Sequence, residues 1–197
     1  MAVKREKLFY NDEFQGFSSG EDYQTRILEN FEWIERNDAE NNPEYKQPIA
    51  YLLITNPLTK KIFAYQRAKK DADYREKRLQ GKWSWGVGGH IEMSDGKNPI
   101  ETSARRELIE EVSMDGKILR FKILGYINDE SNSVGKVHLG MLYLVETDSP
   151  EVRPKDSESE QGKLMDLNEL EKICASEGVE VENWSRIALP ELKRILL

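Results

Sequence analysis

The stretch from Gly88 to Glu111 constrains this chain more than any other. A glycine pair, Gly88-Gly89, lets backbone approach a ligand or a neighbouring segment closely. A helix follows with a marked start. Asn98 suits the N-cap, Pro99 the first turn, and Glu101 stands three residues after the cap, as in a capping box. Ile100, Ala104, Leu108 and Val112 recur every four residues and predict one face packed on a core. At about 100° per residue, Glu111 falls inside that apolar stripe, between Ile100 and Ala104. Glu107 lies at its edge and Glu110 slightly further round. Ser113 to Gly116 then lets the chain leave the helix.

Three carboxylates at the border of a core conflict with local physics. Near a helix C-terminus the dipole disfavours each by about 0.3–1 kcal/mol. Like charges three and four residues apart repel, as Glu107 does with Glu110 and Glu111. An unpaired buried carboxylate costs more still. Local rules broken together mark functional sites. A hard divalent cation resolves the conflict, because Mg²⁺ takes carboxylate oxygens, waters and phosphates. Arg106 can pair with one of the glutamates and orient it. A solvated acidic face partnered by Arg105 and Arg106 is the competing explanation. The glycine lead-in and the inward placement of Glu111 favour the cation.

Composition sets the outer bounds. In 197 residues, 38% hydrophobic and 33% charged, there is enough apolar material for one domain with a heavily solvated surface. The net charge of −7 argues against general nucleic-acid binding, which needs a basic footprint. A single cysteine, Cys174, excludes an internal disulfide and fits a reducing, cytoplasmic setting. No apolar run suggests a signal peptide or a membrane span.

Residues 1–48 read as an extension with one helix, started near Ser18-Ser19 and carrying Tyr23, Ile27, Phe31 and Ile34 on one face. That stripe packs on its own domain or supplies a homodimer interface. Residues 49–197 read as the main domain. Ile49–Ile54 and Ile62–Tyr65 predict a hairpin around Asn56-Pro57. The loop from Gln66 to Lys82 is rich in Lys and Arg, including Arg67, and could steer an anionic substrate. Trp83-Ser84-Trp85 predicts a short strand whose tryptophans pack in the core. Further strands are expected over 118–127 and 137–145, joined by a polar turn. A polar loop over 147–162 and closing helices over 167–175 and 184–195 follow. Asn183 is a candidate cap for the last helix, and Pro190 should kink or divide it. The order predicts an α/β (α+β) domain with a mixed sheet.

These residues resemble the Nudix hydrolase signature, a glycine, a glutamate and then Arg-Glu-(apolar)-x-Glu-Glu-x-Gly-(apolar). Gly89 matches its leading glycine. Arg106, Glu107, Leu108, Glu110, Glu111 and Met114 match its second half. The resemblance covers about residues 49–175 and extends to a bacterial branch of expected phosphoesterases, through Gly86–His90 and Asn128–Gly140. Gly89 and Arg106 lie seventeen positions apart, three more than in the usual box. The extra residues fall most simply around Ser94-Asp95-Gly96. Asp95 fits the box's first glutamate counting forward and Asn98 counting back, with Asn98 better explained as the helix cap. Ser113 replaces the late glycine.

The resemblance implies an α/β/α sandwich and Mg²⁺-assisted hydrolysis of a diphosphate, with Mn²⁺ as a substitute. It implies that Glu110 and Glu111 hold metal, with the Gly89 carbonyl completing the shell. Glu107 is then a ligand or the base that activates water, held by Arg106. Glu158 or Glu160 is the candidate distant accessory. Arg67, His90 and His138 are weaker candidates for contacting a small-molecule diphosphate. His90 and His138 are the only histidines. Two rival functions keep the fold. One is a sensor that binds a nucleotide without hydrolysing it. The other is an isoprenoid diphosphate isomerase, which would need a reactive cysteine close to the box.

Overall fold

The protein, seen as a computed structural model, is described over residues 1–68, 79–155 and 159–196; Ser159 and Glu160 are described by backbone alone. The chain runs β1 (Ala2–Lys4), α1 (Arg5–Phe9), β2 (Gly16–Ser18), α2 (Tyr23–Asn30), β3 (Phe31–Glu32), α3 (Arg36–Glu40), β4 (Tyr45–Asn56) and β5 (Lys61–Arg67). It continues β6 (Trp83–Ser84), α4 (Pro99–Glu111), β7 (Val112–Met114), β8 (Ile118–Asn128), β9 (His138–Thr147), β10 (Val152–Pro154), β11 (Ser159–Met165), α5 (Leu167–Ala175) and α6 (Asn183–Leu196).

The main sheet has the order β11-β5-β4-β9-β8-β2. β4 and β9 are parallel, from Gln47 opposite His138 to Thr55 opposite Glu146. The other neighbours in that order are antiparallel, so the sheet is mixed. The hairpin β4–β5 closes at Thr55↔Ile62, and Asn56 Oδ1 accepts from the Leu58 and Thr59 amides to hold the turn.

β4 shows why the sheet is covered on both sides. Ala50, Leu52 and Ile54 enter one core with Ile100, Ala104 and Leu108 of α4. Tyr51 and Leu53 enter the other with Leu170, Ala188 and Leu192 of α5 and α6. Strand alternation separates the two sets, and burial of both faces explains the unbroken apolar run. Ile100 and Leu108 are 0% and 3% exposed, each contributing about 1.5–3 kcal/mol by burial. The expected α/β/α sandwich is the observed one.

The N-terminal 44 residues differ from the single helix expected. They hold three short helices and three short strands, and they join the sheet. β1 pairs with β4, and β2 pairs with β8 as an edge strand. α2 is capped by Asp22, whose carboxylate accepts from the Thr25 amide, and the chain turns extended at Phe31. Tyr23 and Ile27 are buried in the first core, beside Phe9 and Tyr126, so this half of the stripe packs inside the chain, while Phe31 and Ile34 are half-buried. The expected polar loop over 147–162 contains β10 and most of β11. Pro190 lies inside α6, which runs on to Leu196 undivided.

Candidate active site

A cavity of about 470 Å³ opens between the C-terminal half of α4, the Gly86–His90 segment, the turn before β9 and the start of α6. That volume suits a small organic ligand. Its floor is set by β4. Val87 and Leu52 exchange backbone hydrogen bonds of 2.8 and 3.1 Å, and the Ala50 amide donates to the Gly89 carbonyl at 3.1 Å. Gly88 has a φ of 142°, and a Cβ there would lie 1.9 Å from the Ala50 carbonyl oxygen. A Cβ on Gly89 would lie 2.6 Å from Glu107 Oε1. The first glycine is needed for conformation, and the second makes room for a carboxylate.

Arg106 organises this acid wall. Its Nε and Nη2 reach the two oxygens of Asp95 at 2.9 and 3.2 Å. Nη2 also donates to the His90 carbonyl at 2.9 Å. Nη1 donates to Glu107 Oε1 at 2.6 Å and to Glu110 Oε2 at 2.9 Å. The hydrogen bond to Asp95 is the largest of the effects that push the guanidinium pKa up. Asp95 is buried at the end of a 3₁₀ turn, Met93–Asp95, where its Oδ2 also accepts from the Glu92 amide at 2.7 Å. The forward count from Gly89 is therefore the one that the geometry follows. Asn98 sits at the N-cap of α4, with no side-chain bond to a helix amide. The extra residues fall after Asp95, in the entry to α4.

The depth of the acids departs from the helical wheel. Glu107 is the buried one, at 8% exposure, whereas Glu111 is half-buried and Glu110 exposed. Glu107 is drawn in because Gly89 leaves a hollow against α4 and Arg106 supplies a donor. Burial pushes its carboxyl pKa up, and the bond and charge of Arg106 only partly offset this. Its one hydrogen bond among the described residues falls on Oε1. Glu111 is the last residue of α4, where its carbonyl accepts from the Lys155 amide at 2.9 Å, and it is among the residues that line the cavity.

The opposite wall is built differently. Asp129 is 2% exposed and meets four donors: Gln15 Nε2 and the Ser131 amide on Oδ1, Asn132 Nδ2 and Asn183 Nδ2 on Oδ2, all at 2.9–3.1 Å. Burial raises its pKa, but the hydrogen bonds from Ser131, Asn183 and Gln15 outweigh that and hold it below the ordinary value. Trp184, at the start of α6, stands edge-on to Tyr51 with ring centroids 5.4 Å apart. Trp85 is fully buried and Trp83 packs against the second core, so both pack in the core as expected.

His90 and His138 meet at the cavity's third side, Nε2 to Nε2 at 3.2 Å. His138 Nδ1–H donates to the Val134 carbonyl at 2.8 Å. Burial, then the neighbouring His138, lowers the His90 pKa to about 2. Arg67 lines the cavity, pairs with Glu182 and lies 5.5 Å from the Tyr65 ring centroid. Glu158 and the Glu160 side chain lie outside the described residues, as does most of the Lys/Arg-rich loop; the Glu160 backbone pairs with Gln66 on β5. Cys174 sits on α5, outside the cavity lining, and burial pushes its thiol pKa up.

The structure thus gathers Gly89, Arg106, Glu107, Glu110, Glu111, His90, His138 and Arg67 around one cavity. Sequence reasoning missed the orienting role of Asp95 and the places of Arg36, Asp129 and Trp184 on the cavity lining. Asp95 was legible in the count from Gly89. The others come from segments far apart in sequence, with no shared motif.

Comparisons with known proteins agree with this architecture. A family model described as the NUDIX domain matches residues 45–183. Protein YmaB of Bacillus subtilis (strain 168) is 31% identical over 196 residues, covering 96% of this chain and 92% of its own. The crystal structure of Tm1382, named as a candidate Nudix hydrolase, superposes with a TM-score of 0.77 at 28% identity, covering 98% of this chain and 97% of that one. The NUDIX domain of Shewanella oneidensis NrtR, solved in complex with ADP ribose, shares the fold with a TM-score of 0.55 at 12% identity, covering 87% and 98%.

Proposed function

Because the chain belongs to the Nudix family, we propose that its cavity hydrolyses a diphosphate linkage in a nucleoside diphosphate joined to another group. The observation that carries this reading is Glu107, a buried carboxylate seated on Gly89, with one oxygen held by Arg106 and the other without a hydrogen bond among the described residues. Glu110 and Glu111 line the cavity beside it. This all-oxygen donor set suits Mg²⁺, or Mn²⁺ in its place, held by Glu110, Glu111 and the Gly89 carbonyl; of the two roles open to Glu107, ligand or base, its one open oxygen serves the base. When bound, the ion would neutralise charge on the diphosphate oxygens.

The chain's own residues supply the rest. Glu107, with its raised proton affinity, takes a proton from water through Oε2. The water oxygen bonds to phosphorus as the bridging P–O bond breaks, and the leaving phosphate carries the electron pair away. Arg106 fixes the Glu107 carboxylate, and Asp95 fixes Arg106. Arg67, paired with Glu182, brings guanidinium donors to the cavity wall, and Trp184 offers a ring for a nucleoside. ADP ribose, seen in the NrtR domain, is a diphosphate of this class and a first compound to assay. Among the described residues no helix is long and apolar enough to cross a membrane. The single cysteine supports a cytoplasmic setting. A homodimer is no part of this reading, since Tyr23 and Ile27 are buried within the chain.

The test is a screen of nucleoside-diphosphate-linked compounds with Mg²⁺, reading monophosphate release, with Glu111→Gln in parallel. Wild-type turnover that falls steeply in the variant is expected. Equal rates in both proteins would sink the assignment. Tight binding of a compound without product would point to the sensor instead.

A further inference from the structure

We propose a second cation site in this protein, made by Glu40, His90 and His138, for a borderline transition-metal ion of the Zn²⁺, Co²⁺ or Ni²⁺ class. One ligand atom from each residue lies within 4.8 Å of the others. The site joins α3, the segment after Gly88-Gly89 and the start of β9, and the two imidazoles line the cavity. It stands on these three residues and does not depend on the diphosphate reading.

The imidazole geometry carries the inference. Two nitrogens bound to one tetrahedral ion at about 2.0–2.1 Å lie about 3.3–3.4 Å apart. His90 Nε2 and His138 Nε2 are 3.2 Å apart, with rings inclined at 74°. His138 donates Nδ1–H to the Val134 carbonyl, so its Nε2 carries the lone pair and points that lone pair toward His90. A ring N–H given to a backbone carbonyl is the usual support of a metal-binding histidine. Without an ion, one nitrogen must donate to the other. With one, His90 moves its proton to Nδ1 and both Nε2 atoms face the metal.

The third ligand needs a short movement. Glu40 Oε1 accepts from Arg36 Nε at 2.7 Å, while Oε2 has no hydrogen bond among the described residues. Closing from at most 4.8 Å to a tetrahedral spacing asks for a shift of no more than about 1.5 Å, within reach of a partly exposed side chain. Gln47, opposite His138 in the β4–β9 ladder, places its amide nitrogen 3.3 Å from His138 Nε2. Exchanging the two ends of that amide presents an oxygen at the same point. The donor chemistry separates this site from the acid wall. Imidazole suits Zn²⁺, Co²⁺ and Ni²⁺, whereas Mg²⁺ prefers oxygen.

The full chain, stripped of metal with a chelator and held in excess Mg²⁺ to fill oxygen sites, is titrated with Co²⁺. Visible absorption and calorimetry are read together. One bound Co²⁺ per chain is expected, with an absorption band typical of nitrogen ligation. His90→Gln should weaken binding at least about a hundredfold, since even outer-shell changes cost 10–100-fold. Glu40→Gln, at a partly exposed position, should weaken it less. Circular dichroism checks His138→Gln; if that variant unfolds, the other two carry the test. Co²⁺ binding should survive Glu107→Gln. No Co²⁺ retained in excess Mg²⁺ overturns the proposal. So does binding that survives His90→Gln and disappears with Glu107→Gln. A diphosphate activity that fails in the screen leaves this result untouched, which keeps the two readings separable.

Discussion

Asp129 and Glu107 are both buried carboxylates on the wall of one cavity, at 2% and 8% exposure, yet their surroundings are opposite. Asp129 meets four donors, two on each oxygen. Glu107 meets one donor among the described residues, and that donor is shared with Asp95 and Glu110. The pKa directions follow, down for Asp129 and up for Glu107. Burial alone therefore does not set the direction in which a carboxylate's pKa moves. The count of donors per oxygen does.

The largest effect tests the open carboxylate. Glu107→Gln keeps the volume and removes the base, and the rate of diphosphate hydrolysis should fall about a thousandfold. The fold should remain, as thermal unfolding will show. A variant within tenfold of wild type would place Glu107 with Asp129, as a structural group. The next effect tests what holds Glu107 in place. Asp95→Asn keeps the shape but loses the charge that anchors Arg106, and kcat should fall roughly 10–100-fold, as when an outer-shell partner is lost. Asn98→Ala should leave kcat nearly unchanged, because the Asn98 side chain makes no bond to the helix amides. Similar losses in both variants would undo the assignment of Asp95.

The closed carboxylate should answer differently. Asp129→Asn turns one acceptor into an amino group facing donors from Asn132 and Asn183, or from Gln15 and Ser131. A buried donor left without an acceptor costs about 2 kcal/mol. The midpoint of urea unfolding should drop accordingly, while the rate per folded molecule falls far less than in Glu107→Gln. A large loss of rate with unchanged stability would mean that Asp129 meets substrate.

The same contrast explains what was legible in the sequence. The hairpin at Asn56, the continuous strand Ile49–Ile54 and the acidic helix each follow from local periodicity and turn chemistry, and each is observed. The depth order of Glu107 and Glu111 was not legible from a wheel. A wheel knows the helix but not the hollow that Gly89 leaves opposite it. The N-terminal segment was misread as one helix because its short strands are defined by partners: β1 by β4, and β2 by β8. Asp129 lies inside the Asn128–Gly140 stretch, but that pattern names no donors for it and Trp184 carries no motif; the β8–β9 turn and α6 bring both to the cavity.

Lys46 gives the smallest effect and a pH test of how the second wall is braced. It is fully buried, donates to the Gly135 carbonyl at 2.7 Å and pairs with Glu130 in the turn that carries Asp129. Burial lowers its pKa to about 8 from an ordinary 10.5, with the hydrogen bond and charge of Glu130 pulling the other way. Below about pH 8 both folded and unfolded chains hold the proton, and the contribution of Lys46 to stability is flat. Between about 8 and 10.5 the unfolded chain holds more protons, so this contribution rises with pH. Lys46→Met removes the titration and leaves the Gly135 carbonyl without this donor, a loss of about 1 kcal/mol at neutral pH. The stability difference between wild type and variant should then widen in favour of wild type as pH climbs through that window. A difference that stays constant would mean that the ammonium reaches water, and the wall around Asp129 would be more open than its closed set of donors implies.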